Sequence, residues 1–351
     1  MSTKLIFDDQ AYLDKMRQKY AYINHIHWDG SIPAEDLFKF YQKQNDTLFL
    51  PETDVAGNKI VYVSEQDQLI DSVDKLREFQ NGLLTKYGIV DVFAVPVGAM
   101  QTKEALKQMA VAHCKYLKSQ KIPFSETRFA PLYHTKQGLT MDQVIGYALE
   151  GFAQGKEESG VVVQPIICIN REVDVETAEQ IVDVALNFED RGIIGIDLAC
   201  FEPGSPPEKF SSAFRKTWNS SLKRTAHAGE MCDEEENMVN IYTALTELKV
   251  DGISHALPLY KYPDLISMFI DGHIRLESNP ISNARFFVKE VAELHLDDLV
   301  NWGVLVTINP DDPAMWPNGD LAHNLYVLGK LYGDKFIDQV IKNSIDASWR
   351  I

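Results

Sequence analysis

The chain has 351 residues, 45% of them apolar, enough for a sizeable core in one large domain or two ordinary ones. Lys and Arg total 34 against 51 Asp and Glu, a formal charge of −17, so most of the surface repels phosphate backbones and nucleic acid is not the expected partner. The opening MSTKLIFDDQ has no apolar h-region, and no run of about 18 apolar residues occurs; this predicts neither a signal peptide nor a membrane span, and a cytoplasmic protein. Cys114, Cys168, Cys200 and Cys232 lie 54, 32 and 32 residues apart with no C-x-x-C pair, which reads as reduced, mostly buried thiols. No linker or low-complexity tract marks a domain boundary.

Eight short segments rich in Val, Ile and other apolar residues end on a polar or charged residue and are followed by a helical pattern. In chain order they are Ala21 to Trp28, Phe124 to Ala130, Val161 to Asn170, Ile193 to Glu202, Arg224 to Glu230, Val250 to His255, His273 to Asn279 and Val304 to Asp311. From the second onward their centres recur roughly every 25 to 40 residues, about one β-α-β step. The stretches between them look like amphipathic helices; Asp142 to Gln154 sets Val144, Ile145, Ala148 and Phe152 at helical spacing. A doubly wound open sheet would give similar alternation, but it usually carries a phosphate loop after its first strand, and neither G-x-G-x-x-G nor G-x-x-x-x-G-K-S/T is present.

The prediction is therefore an α/β chain folded as one (β/α)8 TIM barrel over residues 1–351. Eight such units need about 250 residues, leaving about 100 more. The surplus falls between the first two strands, as a helical insertion over residues 31–120. Within it Leu69, Val73, Leu76, Leu83 and Leu84, with Phe79 nearby, sit close to a helical period. A helix there is either a lid over the barrel mouth or a piece of the outer layer.

The first strand ends in His-Ile-His. His25 and His27 point to one side of it, about 7 Å apart at a rise of ~3.3 Å per residue, so both imidazoles can reach one ion. His227 ends the fifth strand in TAHAGE and Asp311 ends the eighth in INPDDP, bringing three imidazoles and a carboxylate to the face where barrel enzymes keep their chemistry. Nitrogen and oxygen donors in this number suit Zn²⁺, one per chain, with a position left for water. Glu230 follows His227 closely enough to move protons, while Asp312 follows Asp311 with its side chain aimed elsewhere. Zinc lowers the pKa of bound water to about 7, and a neighbouring carboxylate then shuttles the proton. The plainer alternatives are a helix N-terminal acid for Glu230 and a cap for Asp312. A second metal bridged by a lysine carboxylate is not expected, because the fourth strand, GIIGIDLACFE, offers Asp197, Cys200 and Glu202 but no lysine.

HIHWDG at 25–30, HAGE at 227–230, ISHA at 253–256, ESNPISN at 277–283 and NPDDP at 309–313 together resemble the adenosine deaminase family of zinc-dependent barrels in the amidohydrolase superfamily. SETRFAP at 125–131 and GIDLACFE at 195–202 fall where that family has its second and fourth strands. The resemblance implies that His25, His27, His227 and Asp311 hold zinc. It further implies that Glu230 protonates purine N1, that His255 orients and deprotonates the attacking water, that Asp312 partners N7 and that Asp29 holds a ribose hydroxyl. Cys200 stands where the family has a glycine whose amide meets N3. The H-x-E…P-C-x-x-C signature of the other zinc base deaminases is absent.

The departures bear on substrate more than on reaction. Cys200 and Ala256 replace glycines and Trp28 replaces leucine, three small-to-large changes expected to narrow or reshape the pocket. In this family an aspartate at the position of Asp29 goes with nucleosides and a glutamate with free adenine. The expected reaction is deamination of adenosine and 2′-deoxyadenosine, a small-molecule purine being the only partner implied. The alternatives are another 6-aminopurine, either adenine or a 5′-modified adenosine, or a purine-binding barrel without catalysis. AMP is disfavoured, because no cluster of Lys and Arg accompanies the motifs.

Overall fold

A computed structural model of the chain describes residues 5–44, 48–49, 52–53, 59–60, 69–81 and 89–350. Each of the eight apolar segments forms a strand: β1 (Ile23–His27), β2 (Phe124–Phe129), β3 (Val162–Asn170), β4 (Gly195–Ala199), β5 (Lys223–Ala228), β6 (Gly252–His255), β7 (Arg275–Ser278) and β8 (Leu305–Ile308). They pair in parallel, each with its successor, from β1 round to β8. The ring closes where the His27 N–H donates to the Asp311 carbonyl at 3.0 Å, beside a parallel bridge between Ile26 and Asp311. Deeper in this seam a side chain replaces the ladder: Asn309 Oδ1 accepts from the backbone N–H groups of Asn24 (2.8 Å) and His25 (3.1 Å). The architecture is the (β/α)8 TIM barrel expected.

Alternation along the strands sorts the residues into two layers. Ile26, Ile196, Ala226 and Ile253 belong to the large apolar core that joins barrel and helices. On β2, by contrast, Glu126 and Arg128 alternate with Thr127, and Arg128 reaches Asp197 on β4 and Glu277 on β7 across the barrel. The interior is thus ionic rather than filled by branched aliphatics, which is why charged residues interrupt the apolar strand segments.

The helix expected at Asp142 to Gln154 spans Met141–Ser159 and buries Val144, Ile145, Ala148 and Phe152. Thr140 caps it in a box with Gln143, and Gly160 ends it in the left-handed conformation. It packs closely on the helix Lys103–Ser119, for a Cβ at Gly155 would lie 2.5 Å from Cys114 Sγ.

Between β1 and β2 run the helices Ala34–Gln44, Val73–Asn81, Ile89–Ala99 and Lys103–Ser119, with a two-residue antiparallel pair, Leu48–Phe49 and Leu69–Ile70. Val73–Asn81 carries Leu76 and Phe79 inward and packs against Ala34–Gln44. Leu83 and Leu84 lie outside the described residues. No helix among the described residues is long and apolar enough to cross a membrane.

Candidate active site

The C-terminal ends of β1, β5 and β8 bring His25, His27, His227 and Asp311 together, with one ligand atom from each lying within 4.8 Å of the others. His25 Nε2 is 3.0 Å from Asp311 Oδ1, and His27 Nε2 is 3.5 Å from the same oxygen. The Nδ1 atoms of His25 and His227 are already committed. His25 Nδ1 lies 2.9 Å from Ser254 Oγ and 3.1 Å from Glu277 Oε2, and His227 Nδ1 lies 3.1 Å from Asp197. Burial alone would raise Asp197 and Glu277, but the positive groups around them hold both below the ordinary carboxylate range. Ionised, they accept only, so each Nδ1 carries the proton and each Nε2 offers a lone pair to the centre.

These donors fit a divalent cation. Burial lowers the pKa of His27 and of His227, so both are neutral, yet their Nε2 atoms stand only 3.2 Å apart. The His227 Nε2 lone pair thus points at the His27 ring nitrogen, a spacing at which both could ligate one cation. Asp311 has φ of +63°, and despite burial the surrounding histidines keep its carboxyl well below the usual range. Three imidazole nitrogens and one carboxylate oxygen are a zinc-type set.

Around this cluster lie the remaining expected residues. His255 Nδ1 donates to Asn283 Oδ1 at 2.7 Å, and its Nε2 faces Glu230 Oε1 at 3.4 Å and Asp311 Oδ2 at 4.0 Å, carboxylates that raise the His255 pKa although burial alone would lower it. Burial pushes the Glu230 carboxyl up to about 7, and its Oε2 has no hydrogen-bond partner among the described residues. The turn that presents Glu230 is held by Glu202, which accepts from the backbone N–H groups of Gly229 (2.9 Å), Glu230 (2.9 Å) and Met231 (3.0 Å). Asp312 is buried with Oδ1 unpartnered among the described residues, and burial together with the Asp311 and Asp29 carboxylates drives its pKa well up. Gly30 makes room for it: a Cβ there would stand 1.8 Å from Asp312 Oδ1. Asp29, raised by burial to about 6, accepts from the Gly30 N–H at 3.2 Å.

A cavity of about 370 Å³ is lined by every predicted site residue except the fully buried His25. Ala130, Cys168 and Ala199 form a small apolar cluster along one wall, and Phe93, Phe201, Phe286 and Phe287 surround the mouth. Phe93 comes from the helix Ile89–Ala99, whereas none of the described lining residues comes from Val73–Asn81. The charged lining is acidic, Asp29, Glu172, Glu230, Asp311 and Asp312, with neither Lys nor Arg among the described lining residues.

Of the three enlarged positions only Cys200 faces the cavity. It takes φ of +80°, a conformation that favours glycine, and its Sγ lies 3.4 Å from the Tyr133 hydroxyl. The expectation that Trp28 and Ala256 narrow the pocket is corrected. Trp28 follows the inward-facing His27 and so points out, stacking edge-on against Phe129 with ring centres 5.1 Å apart. Ala256 belongs to the main core. Sequence reasoning missed Ser254, Glu277 and Asn283 as partners of the histidines and Glu202 as the holder of the Glu230 turn. Only Glu277, a charge within the strand Arg275–Ser278, carried a signal that sequence reading could have used.

Three histidines and an aspartate gathered at the strand C-termini of a (β/α)8 barrel, beside a carboxyl raised by burial, are an arrangement suited to metal-assisted hydrolysis. Residues 22–350 match the adenosine deaminase family, and the chain belongs to it: a family of purine deaminases, hydrolases that act on the C–N bonds of cyclic amidines. An adenosine deaminase of Clostridium kluyveri is 29% identical over 328 residues, covering 93% of this chain and 88% of that one. An adenine deaminase of Pseudomonas putida is 27% identical over 326 residues, covering 92% and 95%. An amidohydrolase structure from Burkholderia ambifaria with bound zinc shares the fold, with a TM-score of 0.78 at 18% identity over 100% of this chain and 91% of that one.

Proposed function

We propose that the protein deaminates adenosine and 2′-deoxyadenosine hydrolytically, giving inosine or 2′-deoxyinosine and ammonia. The observation that carries this reading is one cavity that gathers a carboxyl raised to about 7 with one oxygen unpartnered, a histidine Nε2 facing that carboxyl and a cation ligand set, and that presents neither Lys nor Arg among its described lining. Such a lining suits a neutral 6-aminopurine and disfavours a nucleotide, whose phosphate calls for Lys or Arg.

His25, His27, His227 and Asp311 would hold one zinc ion, a reading supported by the zinc in the Burkholderia amidohydrolase. Bound there, the ion would act as a Lewis acid and bring the pKa of water close to neutrality. Glu230 gives a proton to N1, which drains electron density from C6 and makes that carbon electrophilic. His255 Nε2 takes a proton from the attacking water. The C6–O bond forms, the C6–N bond breaks, and the amino group leaves as ammonia with the protons gathered at the site, so water and 6-aminopurine balance against 6-oxopurine and ammonia. Asp312 faces N7, Asp29 a ribose hydroxyl, and Cys200 the ring edge near N3.

Asp29 favours the nucleoside over the free base. Adenine is the second reading, because the Pseudomonas adenine deaminase matches this chain over 95% of its own length. An ultraviolet assay against adenosine, deoxyadenosine, adenine, AMP and 5′-methylthioadenosine decides: turnover of adenine without adenosine rejects the reading of Asp29. The location we favour is the cytoplasm, in keeping with four unpaired cysteines.

A further inference from the structure

Arg128 is fully buried on β2, and the mechanism above leaves it without a task. Its Nη1 donates to Asp197 Oδ2 at 3.0 Å, and its Nη2 donates to Glu277 Oε2 at 2.7 Å and to the Asn24 carbonyl at 2.8 Å. Asp197 is the partner of His227 Nδ1, and Glu277 the partner of His25 Nδ1. Ser254 Oγ closes the circuit, 2.9 Å from His25 Nδ1, 2.8 Å from Glu277 Oε2 and 3.3 Å from Arg128 Nη1. We infer that Arg128 is a positioning residue whose single guanidinium fixes the carboxylates that orient His25 and His227, and thereby aims two cation ligands from β1 and β5 at one point.

Two considerations separate this role from a plain core ion pair. Buried ion pairs seldom stabilise a fold more than apolar residues of the same volume, so stability alone does not account for a guanidinium here. The fork of an Arg also reaches two acceptors in fixed directions, which a Lys ammonium does not. The dependence is moreover unequal. Glu277 is held a second time by Arg275, through Nε at 2.8 Å and Nη2 at 2.6 Å, whereas Arg128 is the one buried cation bonded to Asp197 among the described residues. Loss of Arg128 therefore falls mainly on Asp197 and, through it, on His227.

The inference rests on the assignment of His25 and His227 as cation ligands, and zinc affinity, measured by competition with a chromophoric chelator, tests both. Stoichiometric zinc in the unaltered protein supports the ligands, and its absence rejects ligands and inference together. Arg128→Met and Arg128→Lys should each lower zinc affinity by about 10- to 100-fold, the range for loss of a group that orients a metal ligand. Thermal melts of the metal-free proteins report folding, and Arg128→Lys keeps the charge in the core should Arg128→Met fail to fold. Because Arg128 acts through Asp197, adding Asp197→Asn to either variant should cost far less than the product of the separate losses. Nitrogen chemical shifts of the metal-free protein should show the His227 tautomer disturbed more than that of His25. Zinc affinity within threefold of the unaltered protein in a folded Arg128 variant, or losses that multiply with Asp197→Asn, would overturn the inference.

Discussion

Glu230 illustrates how one residue acquires a chemical role from its surroundings. Its carboxyl is raised to about 7 by burial, so the proton needed at N1 is present below that pH and is lost as the pH rises through it. kcat/KM should accordingly fall tenfold per pH unit above the pKa of Glu230. Glu230→Gln should bind zinc normally yet lose about 10²- to 10⁴-fold in rate; activity within tenfold of the unaltered enzyme would mean that another group gives the proton. Cys200 is the converse case, a residue kept in spite of its backbone. At φ of +80° a side chain costs of order 1 kcal/mol that glycine avoids. Cys200→Gly should raise the melting temperature, and it should increase kcat/KM for 2-chloroadenosine relative to adenosine, since C2 adjoins N3. An unchanged ratio would remove Cys200 from the purine contact. At this scale the sequence was informative where residue type and spacing speak together, as in His25 and His27. It misled at Trp28, because membership of a motif does not tell which side of the strand a neighbour faces. Glu202 and Asn283 could not be read because their work is done through hydrogen bonds to segments distant in sequence.

The strands were the legible elements. Most set apolar residues on the outer face, and the chemistry sits at their C-terminal ends, so the order β1, β5, β8 could be placed before any contact was known. The helices between β1 and β2 were harder. Periodicity drew attention to Leu69 through Leu84, but the helix that reaches the cavity is Ile89–Ala99, an almost continuous apolar run, IVDVFAVPVGA, broken by Pro96. Such a run has no polar face to generate a period, and it packs on the Asp29–Ser31 turn and the Pro131–His134 turn that flank the cavity. Phe93 is its contact with the site. Phe93→Ala should raise KM for adenosine several-fold, in line with about 1 kcal/mol of lost apolar contact, with kcat little changed; an unaltered KM would show that this helix does not touch bound substrate.

Over the whole molecule, the barrel depends on a closure that strand propensity does not encode. The β1–β8 seam is completed by the Asn309 side chain, which satisfies two buried backbone N–H groups that the ladder leaves over. Asn309→Ala should cost about 2 to 4 kcal/mol in denaturant unfolding, the order expected for two orphaned buried donors, and a loss below about 0.5 kcal/mol would show the seam to be held otherwise. The ionic interior was equally invisible to segment-by-segment reading, because Arg128, Glu277 and Asp197 lie on three different strands and meet only when the ring is closed. The cavity lining is acidic like the chain as a whole, in keeping with the neutral purine proposed as substrate.

The central claim is that this cavity removes the 6-amino group of adenosine with the help of an ion held by His25, His27, His227 and Asp311. Its most direct test is the rate of ammonia release from adenosine by protein loaded with one equivalent of zinc, compared with the same protein stripped by a chelator and then reloaded. The expected result is one ammonia per inosine formed, loss of the rate on stripping and its return on reloading. Undiminished turnover by the stripped protein, or no turnover of adenosine by the zinc-loaded one, would contradict the account.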